Sequence, residues 1–391
     1  MSSKTYFPNL NGIRFILAGM VLLQHVAVVL QVMQISNIYQ KVDAFKAFGP
    51  VAVSMFFALS GFLITFLLLQ ENKATDTISL RTFYLSRAKR IMPLYYLIVI
   101  LHLWVLPHTP LQYIDDKLVL MDASAFPYST IHLSDFSTKI WYFILLPQVA
   151  LALMVATGNS TIPAGHVWSI GVEEIFYFLY PALLKKYVHK FKRLIFTLIG
   201  IYYSAAILLF IVIQFSHTEI LAKPIFQRAI NFSVILIIYN RVNCMFIGAI
   251  GAYLFIHKHR YFYWLTQKWV FYFSLVLLFV LFAIGARVPF LTYELYCVLF
   301  ICVLFYLIKD NKAYFLENSI LRYLGQISYG IYMYQMLAIY GVVYLYMHLH
   351  FHYLYIFPLS FVLTILLSAV SYEYLEKRIK NSNVSGKSVN S

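Results

Sequence analysis

The sequence has few charged residues and very few cysteines. Only 12% of its 391 residues are charged and 62% are hydrophobic, which is more apolar surface than a soluble domain of this length needs. The three cysteines all fall in apolar runs, which excludes a disulfide framework and a cysteine metal site. We expect them to pack as small apolar side chains. The composition therefore indicates a chain that lies in a lipid bilayer.

Acidic residues are also scarce, at 15 against 30 Lys and Arg, and the net charge is +15. Such a charge can indicate a nucleic-acid partner, but here the basic residues lie in short segments between apolar runs. That distribution is typical of cytoplasmic loops in membrane proteins, so we expect no nucleic-acid partner. A compatible interpretation is a cytoplasmic site for a polyanionic ligand.

The first residues lack the features of a removable leader. Segment 1–5 has no basic n-region and no small-residue cleavage site, so we expect the first apolar run to be retained as a span. No tandem repeat is present. We predict one polytopic domain over 1–380 and a disordered cytoplasmic tail over 381–391, because that tail is polar and rich in Ser and Asn.

Apolar runs long enough to cross a bilayer recur along the whole chain. They span residues 10–33, 50–70, 91–107, 140–157, 167–184, 194–216, 231–256, 270–286, 290–308, 324–347 and 354–375.

The basic loops limit how many of these eleven runs can cross. Loops 71–90 and 185–193 carry five Lys and Arg each and should both be cytoplasmic. Two loops on the same side of the membrane must be separated by an even number of crossings. Three apolar runs lie between these two loops, so one of the three does not cross. We choose 140–157, which carries Pro147 and Gln148, as a re-entrant or interfacial segment.

The resulting prediction is an all-α integral membrane protein. It has about ten transmembrane helices, one re-entrant or interfacial segment and both termini in the cytoplasm. The inner segments then hold 21 Lys and Arg and the outer loops hold 7. We expect a multi-pass protein of the cell membrane, meaning the inner or cytoplasmic one.

Two ionisable residues lie inside the first apolar run. Arg14 and His25 are eleven positions apart, which on a helix places them on nearly one face and roughly 16 Å apart along the axis. Ionisable side chains within a span are costly and usually functional. The alternative is an Arg that reaches the headgroups and a His bonded to a neighbouring helix.

Two further motifs lie between the first and third runs. Ser60-Gly61 falls at about mid-depth of the second run, where a glycine permits a close helix contact or the approach of a thin ligand. Arg87 and Arg90 share a helix face at the start of the third run. Paired arginines suit phosphate groups, although a positive anchor at the inner surface is equally consistent with them.

Buried charge of both signs occurs later in the chain. Glu173 and Glu174 lie near the start of an apolar helix, where the helix dipole favours at most one of them at little cost. Arg241 lies within the seventh run and needs a partner there, for which Glu173 or Glu174 is a candidate.

Six motifs in the same order resemble the membrane-bound acyltransferase family 3, the family of bacterial cell-surface O-acetyltransferases. The resemblance runs from about residue 7 to residue 380. The matching elements are the Arg14 to His25 pair, FFALSGFLI at 56–64, RAKRIMPLYY at 87–96, HVWSIGVEEIFY at 166–177, LGQISYGIYMY at 324–334 and YLEKR at 374–378.

The chain departs from the family pattern at one position. Many members have a histidine soon after the element that contains Tyr329, and here that place is Gln335. The sequence also has no counterpart of the esterase-like C-terminal domain that is fused in some members. We therefore expect the stand-alone form.

The resemblance implies an O-acyltransferase that moves an acetyl or other short acyl group from acyl-CoA, usually acetyl-CoA, to a hydroxyl of a surface glycan or lipid-linked saccharide. In a physical account, the CoA phosphates bind Arg87 and Arg90, and the pantetheine arm passes Arg14 where Gly61 gives it room. His25 then removes the proton of the acceptor hydroxyl as general base.

The remaining predicted site residues support these groups. Glu173 or Glu174 holds the tautomer of the imidazole, and Arg241 or Arg14 stabilises charge on the thioester oxygen. We assign Ser60, Gly61, Arg241 and Tyr329 to the donor site together with Arg87 and Arg90. A covalent acyl intermediate on His25 or on a hydroxyl stays open.

Other functions are less well supported by the residues. We expect no metal site, because His348, His350 and His352 are more typical of a solvated loop than of a set of metal ligands. Burial in apolar runs also disfavours the cysteines as nucleophiles. The alternative from another class is a transporter or flippase whose intramembrane charges line a path.

Overall fold

The computed structural model describes residues 6–35, 43–115, 117, 135–157, 164–216, 218, 220–286, 288, 291–310 and 314–381. Every regular element in these ranges is a helix, which confirms the predicted all-α class. Apolar runs in a bilayer form helices because each backbone group must find its partner within the segment. Apart from its first residue, the predicted tail 381–391 lies outside the described residues.

The α-helices vary in length from short connecting turns to full spans. In chain order they are α1 Leu10–Val32, α2 Asp43–Thr75, α3 Leu80–Ile100, α4 Asp135–Phe143, α5 Pro147–Thr157, α6 Trp168–Tyr187, α7 Phe191–Gln214, α8 Pro224–Val234, α9 Val242–Ile256, α10 Arg260–Leu265, α11 Lys268–Ala283, α12 Thr292–Asp310, α13 Ser319–Gln326, α14 Ser328–Leu349, α15 Ile356–Ser371 and α16 Lys377–Asn381.

Eight helical stretches of the described chain are long and apolar enough to cross a membrane. One of them, Gly165–Gln214, has 50 residues and combines α6 and α7 around a short turn. At 1.5 Å per residue it would extend about 75 Å, more than twice the roughly 30 Å hydrocarbon core. The count of ten crossings and the cytoplasmic placement of both termini stay predictions.

The segment predicted not to cross is a short helix. α5, Pro147–Thr157, has 11 residues and therefore rises only about 16 Å. Leu145, with a φ of 63°, breaks the chain between α4 and α5. Pro147 is the first residue of α5 rather than the middle of a longer helix. This length is too small for a crossing.

Polar contacts fix the N-terminal end of α1. Asn9 has a φ of 66°, and its side chain donates a hydrogen bond to the Leu307 carbonyl oxygen at 2.9 Å. The Glu317 carboxylate accepts from the Asn9 backbone N–H and, at 2.5 Å, from the Tyr6 hydroxyl. Partial burial, together with Glu317, raises the pKa of Tyr6 above its ordinary value, so this hydroxyl stays a donor. These contacts hold the turn that carries Arg14.

The centre of the bundle is a close contact between α2 and α9. A side chain added at Gly61 would collide with the carbonyl oxygen of Met245, and one added at Gly248 would collide with that of Ala58. Glycine is therefore needed on both helices for the backbones to approach this closely. Because α2 carries both Ser60 and Pro50, this contact sets the position of two polar regions.

The predicted span 231–256 is broken in the middle. A π-helical turn, Ile235–Tyr239, ends the first half, and Arg241 has a left-handed backbone with a φ of 48°. α9 then begins at Val242. The break places the N-terminus of a helix and an arginine at the same point inside the bundle.

Candidate active site

The bundle contains two cavities that together hold most of the predicted site residues. The first, cavity A, has a volume of about 120 Å³ and lies between α1, α2, α3, α6 and α14. Six residues predicted from the sequence line it: Arg14, Ser60, Arg87, Arg90, Glu173 and Tyr329.

Cavity A is strongly cationic. Three arginines line it, and Glu173 is the acidic residue among its lining. Arg87 packs its guanidinium between the rings of Phe83 and Tyr177, with its central carbon 5.5 and 5.7 Å from the ring centroids. In the part of the chain that the structure describes, no group accepts a hydrogen bond from Arg14. The guanidinium therefore faces the cavity and can bind a ligand oxygen.

The acid of cavity A is held by two hydroxyl groups. Ser60 Oγ donates to Glu173 Oε1 at 2.7 Å, and the Tyr177 hydroxyl donates to Glu173 Oε2 at 2.9 Å. Both carboxylate oxygens thus have partners from α2 or α6. Glu173 lies in the second turn of α6, beyond the reach of the helix dipole at its start.

The second cavity, cavity B, is larger and contains His25. It has a volume of about 790 Å³ and lies between α1, α2, the break before α9, and α12. Arg241 also lines it, together with the aromatic residues Trp168, Tyr239 and Tyr293. The structure therefore separates Arg14 from His25, although both belong to the continuous helix α1.

The polar neighbour of His25 is Gln335 of α14, whose side chain lies beside the imidazole. Gln335 is fully buried, and its amide nitrogen donates to the Tyr332 carbonyl oxygen at 2.9 Å. Among the described residues, neither its amide oxygen nor Nδ1 of His25 has a hydrogen-bond partner. Glu173 is bonded inside cavity A, so the structure does not bring it to the imidazole as predicted.

One tyrosine stands between the two cavities. Tyr332 of α14 lines both of them, as does Val53 of α2. The Tyr332 hydroxyl lies 2.7 Å from Ser169 Oγ and donates to the His166 carbonyl oxygen at 2.5 Å. Because two partners at the start of α6 hold this ring, it forms part of the wall between cavity A and cavity B.

Two predicted residues line neither cavity. Gly61 faces the backbone of Met245 on α9, so the space that it provides is filled by a helix rather than by a ligand. Glu174 is also absent from both linings, and its Oε1 is buried without a hydrogen-bond partner among the described residues.

Arg241 does not pair with the predicted acids. Its Nη1 donates to the Pro50 carbonyl oxygen at 2.8 Å and to Ser54 Oγ at 3.3 Å, both on α2. Since Glu173 is bonded to Ser60 and Tyr177 in the other cavity, the predicted pairing of Arg241 with Glu173 or Glu174 is wrong.

The described residues hold no group of three or more His, Cys, Asp or Glu side chains arranged for a metal ion. His348 bonds the Tyr344 carbonyl oxygen through Nδ1 at 2.9 Å. The three cysteines are buried and unbridged.

Comparison with known proteins assigns the chain to a family. The profile of a family described as an acyltransferase domain matches residues 7–373, nearly the whole chain. The chain belongs to this family. The matched segment contains both cavities, so the residues described above are those of an acyltransferase domain.

Curated relatives of this acyltransferase include the O-acetyltransferase OatA of Staphylococcus aureus strains NCTC 8325 / PS 47 and COL. Each is 30% identical over 194 residues, which is 49% of the chain and 27% of the relative. The chain thus matches about a quarter of the length of these relatives. No solved structure shows a significant match.

The structure adds residues to the acyltransferase site that the sequence analysis did not select. Tyr177 bonds Glu173, Tyr332 and Ser169 form the wall, and Tyr293 lies against Arg241. Tyr332 lies in the same motif as Tyr329, one helical turn later, and that spacing was a usable signal. Tyr293 follows no motif, and only the packing of α12 reveals it.

Proposed function

We propose that this acyltransferase moves an acetyl or other short acyl group from acyl-CoA to a hydroxyl of a cell-surface glycan or lipid-linked saccharide. Family membership favours this enzyme over a transporter or flippase. The name of the OatA relatives supports acetyl as the group and oxygen as its acceptor. We further propose that the protein works in the inner cell membrane.

The observation that carries the proposal is the pair of cavities on either side of Tyr332. Transfer between two substrates needs one site for each of them. Cavity A offers three arginines, which suit an anionic donor. Cavity B offers His25 and aromatic rings, which suit a hydroxyl acceptor.

On the donor side, Arg87 and Arg90 would bind phosphate oxygens of CoA, since a guanidinium can donate two parallel hydrogen bonds to them. Arg14 would donate to the thioester carbonyl oxygen, where negative charge develops in the transition state. Glu173 would position this region through Ser60 and Tyr177.

On the acceptor side, His25 would remove the proton of the sugar hydroxyl while its oxygen attacks the thioester carbon. The C–S bond then breaks and CoA leaves as a thiolate. The thiolate takes up one proton, which balances the proton that His25 removed from the hydroxyl. The products are the acyl ester and CoA thiol, so no net proton is released. Tyr332 lies where the acyl group would pass.

The test compares variants of the two cavities in the purified protein with acetyl-CoA and a panel of surface-glycan acceptors. His25→Ala should lower transfer by about 10²–10⁴-fold and leave acetyl-CoA affinity unchanged, because it removes only the base. The double change of Arg87 and Arg90 to Gln should weaken acetyl-CoA binding about 10- to 100-fold, because two charge-assisted bonds are lost.

Arg81→Gln is the matched control, because Arg81 is an exposed arginine of the same helix that does not line cavity A. It should leave both quantities unchanged. Full transfer by the His25 variant would remove that residue as the base. Unchanged acetyl-CoA affinity in the double variant would remove cavity A as the donor site.

A further inference from the structure

A buried arginine lies in the wall of cavity B at the break between α8 and α9. Arg241 is only 5% exposed and lines the cavity. α9 begins at the next residue, Val242, so the positive end of its dipole lies beside the guanidinium. Broken helices in membrane transporters use this arrangement to bind anionic substrate groups.

The charge of Arg241 has no direct counter-charge in the described part of the chain. Its Nη1 donates to the Pro50 carbonyl oxygen and to Ser54 Oγ on α2, which are both uncharged, and its Nε has no partner there. The acid that faces this region, Glu294 of α12, accepts hydrogen bonds from Asn243 and, at 2.8 Å, from Tyr203. It lies beyond ion-pair distance of the guanidinium, so an anion entering cavity B would be the closer partner.

Aromatic rings surround the guanidinium. The centroid of Tyr293 lies 3.7 Å from its central carbon, that of Tyr239 lies 5.7 Å away and that of Trp168 lies 5.9 Å away. These rings hold the guanidinium plane in a fixed orientation. The volume of about 790 Å³ falls in the range of small-molecule pockets.

We propose that Arg241 and the N-terminus of α9 form an anion subsite for the acceptor, which carries a carboxylate or phosphate next to its sugar. The subsite would hold the acceptor with its hydroxyl toward His25, which lines the same cavity. A neutral sugar would leave the buried charge without a close partner. This inference rests on the proposed function and names its acceptor as an anionic saccharide.

Three soluble probes separate the two sources of negative charge. Methyl glucuronide carries a carboxylate on the sugar, glucose 1-phosphate carries a phosphate like that of a lipid-linked sugar, and methyl glucoside is neutral. Their dissociation constants are measured by saturation-transfer NMR on the full chain in lipid nanodiscs. At least one anionic probe should bind about tenfold more tightly than the neutral one, since a charge-assisted bond adds about 1.5 kcal/mol or more.

Arg241→Gln should abolish this preference, and Arg241→Lys should reduce it, because the ammonium keeps the charge but loses the planar fork. Thermal unfolding of each purified variant, compared with the wild type, reports whether it is folded. If Arg241→Gln is not folded, the inference is tested by comparing the anion preference of the wild type with that of Arg241→Lys.

A preference for the carboxylate that falls in the variants assigns the subsite to an acidic sugar, and a preference for the phosphate assigns it to a lipid-linked one. Equal binding of all three probes by the wild type would overturn the inference. So would an anion preference that is the same in every folded Arg241 variant. No donor is present in these measurements, so their outcome is independent of whether acyl transfer itself is confirmed.

Discussion

At the scale of single residues, Gln335 is a fully buried amide beside the imidazole of His25. Its amide nitrogen is bonded to Tyr332, which fixes the orientation of the amide. Its amide oxygen has no hydrogen-bond partner among the described residues. An amide oxygen can accept only from a protonated ring nitrogen, which would leave the other nitrogen of the imidazole as the base.

We therefore expect Gln335 to position the base rather than to touch the substrate. Gln335→Leu should lower kcat about tenfold or more and leave the KM for acetyl-CoA unchanged, because the imidazole loses its preferred tautomer. Gln335→His again places a polar partner beside the imidazole and should recover much of the activity. Steady-state kinetics with the same acceptor measures all three forms.

A general loss of folding would lower the Tm together with the apparent kcat, and Gln335→His would not recover the activity. Equal kcat in wild type and Gln335→Leu would show that the amide has no part in orienting His25.

The sequence predicted which residues line the two cavities better than which of them contact each other. The spacing of Arg14 and His25 follows from helix geometry alone, and α1 is continuous through both. The partner of Arg241 does not follow from spacing, because it depends on which helix packs against the break. The structure supplies backbone and hydroxyl oxygens of α2 instead of a carboxylate.

At the scale of elements, the contact of α2 with α9 depends on two glycines. The sequence allowed either a helix contact or room for a ligand at Gly61, and the position of Met245 shows that it is a helix contact. The break before Arg241 was not predicted, since no Pro or Gly lies there and the surrounding run is apolar. A polar Asn-Arg pair in mid-span was the available signal.

The glycine contact predicts a difference in stability between two matched substitutions. Gly61→Ala should lower the Tm of the purified protein by several degrees, since the added methyl forces α2 and α9 apart at a cost of about 1–3 kcal/mol. Gly200→Ala in α7 should be neutral or slightly stabilising, because no atom lies within 4 Å of the added group.

Thermal unfolding in one detergent provides the comparison. Equal Tm values for the two variants would mean that α2 and α9 do not need their close approach.

At the scale of the whole molecule, the sequence correctly predicted a helical chain with many apolar helices. Eight stretches meet the length and hydropathy needed for a crossing, and α5 is too short for one. The distribution of Lys and Arg adds an orientation. Such an orientation follows from charges alone, whereas the cavities depend on packing that no single loop encodes.

The predicted orientation can be measured with introduced cysteines. Lys190, in the turn between α6 and α7, and Lys117 are both exposed. Lys117→Cys should react with a membrane-impermeant maleimide in intact cells, and Lys190→Cys should react only after permeabilisation. The three native cysteines are buried and should give little background.

The unsubstituted protein serves as the control for that background. Labelling of both positions from the same side would contradict the predicted number of crossings between them.

The fixed ring of Tyr332 has a consequence for the electrical properties of the membrane. Moving one elementary charge across the membrane changes the free energy by about 2.3 kcal/mol for every 100 mV. The free energy of carrying CoA with its charged phosphates through the bundle would therefore depend on the membrane voltage. An acyl group is uncharged and would pass Tyr332 without such work. With the ring held by Ser169 and the His166 backbone, CoA would stay in cavity A, and no charged group would cross the bundle while the ester is made.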